Sequence, residues 1–231
     1  MGLLSKLWGQ KPKPASKFEA FLQRFNDQPT LVDDLIRGSK VTHKLMNAIC
    51  FACLQSGYAI TREIRDSLRG LPKLNPGLST SPFQFDGVAR EVIAFVFFTI
   101  MADHFTDSDE ENDESGSTND DELFESIKAA RYLAESFISK NTELGAGELL
   151  KGRILSYSLA HRKRANLYET AATRILEVNR YGPTDAKFQL EDLLAVAVVQ
   201  RVLASDILAS TQSGIRAMYL EWKSSPASFG S

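Results

Sequence analysis

Hydrophobic positions recur along this chain at intervals of three and four residues, the spacing of one face of an α-helix. Phe18, Phe21, Leu22 and Phe25 make the first such row, over 17–25. Thr30 is placed to cap a short helix over 31–37, and Gly38 to end it. Ser39 then caps a long helix over 40–69. Its row runs Val41, Leu45, Ile49, Ala52, Ala59, Ile64, Leu68, with a gap near Gly57. Gly70 and Pro72 are expected to stop it. Ser81, Pro82 and Gln84 read as a capping box with proline at the first helical position, so a helix is expected from there to about Phe105. Its middle, 92–101, is apolar on every side. A helix without a polar face is buried all round, which places this one at the centre of a bundle. Val, Ile and Phe also favour strands, but no alternating partner strand stands elsewhere in the chain, so the helical reading is preferred.

Further helices are expected over 121–139, 147–180 and 185–222, the last two separated by the turn Tyr181, Gly182, Pro183. At 1.5 Å per residue a 34-residue helix spans about 51 Å. So short a turn makes its two helices antiparallel neighbours. The expected fold is all-α: a helical bundle of about five main helices plus two short N-terminal helices, with a long antiparallel C-terminal helix pair. The chain divides into an amphipathic, basic arm (1–16), the bundle (17–223) with a disordered acidic insert (106–120), and a loose tail (224–231).

Charge sharpens that division. The 231 residues carry a formal net charge of −2, with 24% charged and 43% hydrophobic residues, ordinary for a globular chain. Ten of the 29 acids fall between Asp107 and Glu125 with no base among them. Setting them aside leaves 27 bases against 19 acids. A basic body with one acidic segment is not the pattern of a nucleic-acid binder, which is usually basic overall. The acidic stretch also fails as a calcium loop. Starting at Asp107 puts Asn112 and Thr118 where glycine and glutamate are needed, and starting at Asp109 puts Glu114 and Asp120 there. It is expected to be a solvated linker. Electrostatic masking of the basic body is the sharper alternative.

Candidate chemistry is sparse. Cys50 and Cys53 form a CxxC about ten residues inside a helix, away from the N-terminal dipole that activates redox pairs. The all-helical peroxidase-like family related to alkyl hydroperoxidase D has a similar helical CxxC, but its motif also carries an acid and a tyrosine before the first thiol and a histidine four residues after the second, and the resemblance fails at all three. Here those places hold Met46, Ile49 and Gly57. Buried, inert thiols are the first reading, and a redox or metal protein built on Cys50 and Cys53 is the last alternative. His43, His104 and His161 supply few further ligands for zinc. His161, Arg162, Lys163 and Arg164 form the densest basic cluster, expected as a solvated collar fanned around the middle of a helix. Arg62 is expected to pair with Asp66 one turn on. Glu91 enters the most apolar helix and is expected to be paired.

The arm is the most suggestive segment. Leu3, Leu4, Leu7 and Trp8 give an apolar side, and Lys6, Lys11 and Lys13 supply charge, a combination that suits membrane surface or partner contact. Lys6 breaks the myristoylation pattern. No membrane span is expected, because the longest apolar run, Val92 to Ala102, is about half of what a bilayer needs. No secretory signal is legible at the start, and two cysteines suit a reducing compartment. The expectation is a non-enzymatic cytoplasmic interaction protein (adaptor, chaperone-like or immunity-type) with a protein partner and no cofactor. The alternative is a peripheral protein at the inner face of a membrane, docking through residues 1–14.

Overall fold

The computed structural model describes residues 16–28, 30, 34, 37–38, 41–74, 83–106, 117–142, 150–179 and 190–225. The architecture is an all-α helical bundle, and there is no strand among the described residues. Its helices are α1 (Lys17–Asp27), α2 (Val41–Leu74), α3 (Phe85–Thr106), α4 (Ser117–Asn141), α5 (Leu150–Arg162), α6 (Leu167–Asn179), α7 (Leu190–Leu203) and α8 (Asp206–Ser224). The arm residues 1–15, the acids at 107–116, most of the short helix expected over 31–37 and the tail beyond Ser225 lie outside the described residues.

Helix α3 is the axis. Every residue from Val88 to Ile100 is buried, so no side of this helix faces water. Four neighbours cover it, α2, α5, α6 and α4, with α1 touching one end. Helix α2 runs antiparallel to it: Gly57 meets Ile93, and the Arg65 guanidinium lies 5.9 Å from the Phe85 ring. Helix α5 runs parallel, with Tyr157 against Glu91 and His161 beside Phe98. Helix α6 returns antiparallel, with Tyr168 beside Phe95 and Val178 against Gly87.

The remaining helices thicken this centre. Helix α1 lies antiparallel on α2, fixed at one end by Glu19–Arg65 at 2.6 Å and at the other by Phe25 on Phe51. Phe137 of α4 closes that contact, its ring 5.5 Å from Phe21 and 5.9 Å from Phe51. Helix α7 packs on α6 and α2, and α8 packs on α2, where the Ser56 and Thr211 hydroxyls are hydrogen-bonded.

The structure corrects several sequence expectations. The long antiparallel C-terminal pair is four helices, because both members break. The first breaks at 163–166. Ala165 N–H donates to Ala160 O, Arg164 N–H donates to His161 O, and Arg164 takes φ 55°, the pattern of a Schellman stop with arginine where glycine is usual. Asn166 then caps α6 by accepting from Glu169 N–H at 3.2 Å. The second breaks at Ala204–Ser205, and Ser205 occupies the cap position of α8. Helix α2 does not stop at Gly70: it continues to Leu74, because Leu71 extends the buried row of Ile64 and Leu68. The insert narrows at both edges, since Thr106 ends α3 and Ser117 begins α4.

The start of α3 also differs. The helix begins at Phe85, and Gln84 O accepts its first bond, from Val88 N–H. Gln84 therefore sits at the cap, where the sequence placed it inside the first turn. Its own N–H donates to Asn179 Oδ1 at 2.8 Å, and Asn179 is fully buried at the end of α6. Ser16, which caps α1 by accepting from Glu19 N–H, donates its hydroxyl to Asp86. Ser16 and Asn179, far apart in sequence, thus meet at one helix terminus.

Two outcomes test this account. A Cβ at Gly57 would stand 2.3 Å from Ile93 Cγ1. Gly57→Ala is therefore expected to lower unfolding free energy by about 1–3 kcal/mol in urea titrations. Combined with Ile93→Ala it should cost less than the sum of the two single losses. Arg164→Gly, which relieves a left-handed non-glycine residue, is expected to raise stability by about 1 kcal/mol, read as a higher urea midpoint at an unchanged slope.

Candidate interaction surface

Cys50 and Cys53 lie three residues apart on α2, on one face, and both are fully buried among Ile49, Leu54 and Ile60 of the core. They are free, not bridged. Burial pushes both thiols far above their ordinary value of 9.0, and Cys50 pushes Cys53 up further. A thiolate, the species that attacks or ligates, is disfavoured here. His43 and His161 are exposed on α2 and α5, and His104 stands in the last turn of α3. Among the described residues no three His, Cys, Asp or Glu side chains are grouped to hold a metal.

Glu91 is paired, though not by its neighbour along the helix. Tyr157 Oη donates to Glu91 Oε1 at 2.6 Å. Arg153 Nε stands 3.4 Å from Oε2, and Arg174 Nη1 stands 3.8 Å from Oε1. Arg174 also lies over the Tyr157 ring at 5.3 Å. A fully buried carboxylate needs such partners, and they come from α5 and α6, so this one acid ties both helices to α3. Burial first, and the Glu91 charge second, push the Tyr157 hydroxyl well above its ordinary value. The Arg62–Asp66 pair does not form. Arg65 turns to Glu19 and offers Nε to Asp66 at 3.3 Å, and Arg62 lies over the Tyr58 ring.

The basic cluster His161 to Arg164 is a helix stop, not a mid-helix collar. All four residues are exposed at the tip of the α5–α6 hairpin. Among the described residues no carboxylate pairs with Arg162, Lys163 or Arg164. The signal that locates the stop is Asn166 with Glu169 three residues later, a capping pattern the arginine-rich context obscured.

Exposed leucines cluster on two surfaces, with Leu220, Tyr132 and Tyr168 exposed elsewhere. On α5, Leu155 and Leu159 lie one turn apart and are 59% and 50% exposed. On α7, Leu193 and Leu194 are 52% and 41% exposed, and the smaller Ala197 is exposed one turn on. The opposite side of α7 buries Ala195, Val199, Val202 and Leu203. The sequence missed the α7 surface because α7, like α3, is apolar nearly all round. Only one such helix is central. The other is peripheral and leaves an apolar face uncovered.

Leu193–Ser224 is long and apolar enough to cross a membrane by length and composition: its most apolar 18-residue window has a mean hydropathy of 1.7 and is only 28% buried. No unbroken apolar run marks this segment, because Arg201 and Asp206 interrupt it without lowering its average much. The helix itself is interrupted at Ala204–Ser205. The arm residues Leu3, Leu4, Lys6, Leu7, Trp8, Lys11 and Lys13 lie outside the described residues. An open cleft of about 490 Å³ runs between α2 and α8, lined by Ala52, Ser56, Ile207, Thr211 and Met218 among others. No protein-family model, curated protein or solved structure matches the chain.

The buried thiols and phenol set an alkaline limit. In the unfolded chain the thiols release protons near 9 and Tyr157 near 10. In the folded chain all three hold them to higher pH, so the stability they contribute is complete below 9 and is lost as pH rises. Each group steepens the decline by up to about 1.4 kcal/mol per pH unit. Urea titrations at pH 8, 9 and 10 are expected to show that decline. Cys50→Ala with Cys53→Ala should flatten it between 9 and 10.

Proposed function

We propose that this chain is a non-enzymatic helical-bundle interaction protein whose partner is another protein, docking on the uncovered face of α7. The observation that carries the reading is the contrast within α7. One side is packed into the bundle, and the other presents Leu193, Leu194 and Ala197 to water. Contiguous exposed apolar side chains on a soluble fold mark interaction surfaces. Arg201 lies exposed on the same helix, giving the patch a polar edge of the kind protein interfaces carry.

A second reading is a peripheral membrane protein using residues 1–14, and the apolar character of Leu193–Ser224 favours it. The helix geometry weighs against a crossing. Helix α7 has 14 residues, or about 21 Å, against a hydrocarbon core of about 30 Å. A surface-lying α7 with the arm beside it is the form this reading takes.

Site-specific photocrosslinking separates the two. A benzophenone side chain at position 194 in native lysate is expected to yield a discrete protein adduct, resolved by mass. The same group at exposed Ser136 of α4 should yield none. Lipid adducts at 194 without a protein adduct would turn the assignment to the membrane. So would liposome co-sedimentation that the chain lacking residues 1–14 loses.

A further inference from the structure

The tip and outer row of the α5–α6 hairpin form a second surface, distinct in charge from α7. Helix α5 packs on α3 through Leu150, Ile154 and Tyr157. Its opposite side carries Gly152, Leu155 and Leu159 in one i, i+3, i+7 row, all exposed. A Cβ at Gly152 would meet nothing within 4 Å, so the start of the row is open to close approach. Lys151 stands exposed at that end, and its N–H is held by Glu135 Oε1 of α4 at 3.0 Å. At the other end stand Arg162, Lys163 and Arg164.

Those three cations are held by the turn. The Schellman bonds and the Asn166 cap fix their backbone, and Glu91 fixes both arms of the hairpin to α3. Glu169, exposed in the first turn of α6, is the nearest acid in sequence, and its backbone N–H is the one that Asn166 accepts. Among the described residues the tip therefore keeps a net positive charge on a fixed backbone, at the end of an apolar row one helix wide.

We infer that this face binds a short acidic amphipathic helix of a partner protein. The partner's apolar ridge would lie along Leu155 and Leu159, and its carboxylates would meet Arg162, Lys163 and Arg164. Charge complementarity selects the sign of the partner. The width selects its form: two leucines on one cylinder match the ridge of a single helix. An anionic bilayer calls for a broader apolar face than this row provides. The inference extends the interaction reading to a second face and can fail while the α7 surface stands.

The test uses the full chain and a fluorescent 20-residue helical peptide with one leucine face and glutamates on its flanks, followed by anisotropy. A lysine counterpart and vesicles of phosphatidylserine with phosphatidylcholine are run in parallel. The acidic peptide is expected to bind, more weakly as salt rises. R162E/K163E/R164E and, separately, L155S/L159S are each expected to weaken it by about tenfold or more. All five residues are exposed, so both variants should keep the parent's circular dichroism and Tm. L193S/L194S should bind the peptide unchanged, which separates this face from α7. Equal binding of the lysine peptide would overturn the inference. So would full binding by the charge-reversed variant, or vesicle binding lost in the same variants with no peptide binding.

Discussion

The fold depends on enclosing one helix that has no polar face. From Val88 to Ile100, α3 offers water nothing it can solvate well except Arg90, Glu91 and Thr99, and all of these are buried too. Two or even three neighbours would leave an apolar strip wet. The bundle therefore wraps α3 with α2, α4, α5 and α6, and the other helices pack on that wrapping. Close approach matters as much as coverage. At Gly57 and Gly87, α2 and α6 approach α3 closely, and in each case a neighbour's branched side chain fills the space a Cβ would occupy.

Enclosure makes polar exceptions consequential. Glu91 sits in the most hydrophobic part of the molecule and is held there by Tyr157, Arg153 and Arg174. The pair Glu19–Arg65 is similarly shielded and sets how α1 lies on α2. Buried ionic groups of this kind contribute little net stability, but they penalise wrong registers, because a shifted helix would strand a charge. The hairpin of α5 and α6 inherits its rigidity from the first of these clusters, and with it the fixed outward display of its leucines and cations.

Much of the architecture was legible in the sequence, for reasons that can be named. The centrality of α3 follows from its lack of a polar side, and α1 and α2 follow from rows at helical spacing. Boundaries were harder where the usual punctuation was missing. The break at 163–166 contains neither glycine nor proline, and Arg164 bears the left-handed conformation that glycine would otherwise take. Gly70 and Pro72 looked like a stop, yet the burial of Leu71 carries the helix past them. The partners of Glu91 and Gln84 were not legible at all. They are tertiary, contributed by helices some 62 to 95 residues away. The uncovered face of α7 was hidden for a related reason: composition says that a helix is apolar, but only packing says which of two apolar helices reaches the centre.

The cap on α3 has a bearing on how the chain is made. Gln84 and its acceptor Asn179 are separated by 95 residues, and α5 and α6, which cover one flank of α3, are translated in that interval. At about 5–20 residues per second, a ribosome takes about 5–20 s to supply them. For that time the nascent chain carries a greasy helix with an open side, and the Gln84 amide is left to water. Until the second half of the polypeptide emerges, only the earlier helices α1, α2 and α4 are available to cover it.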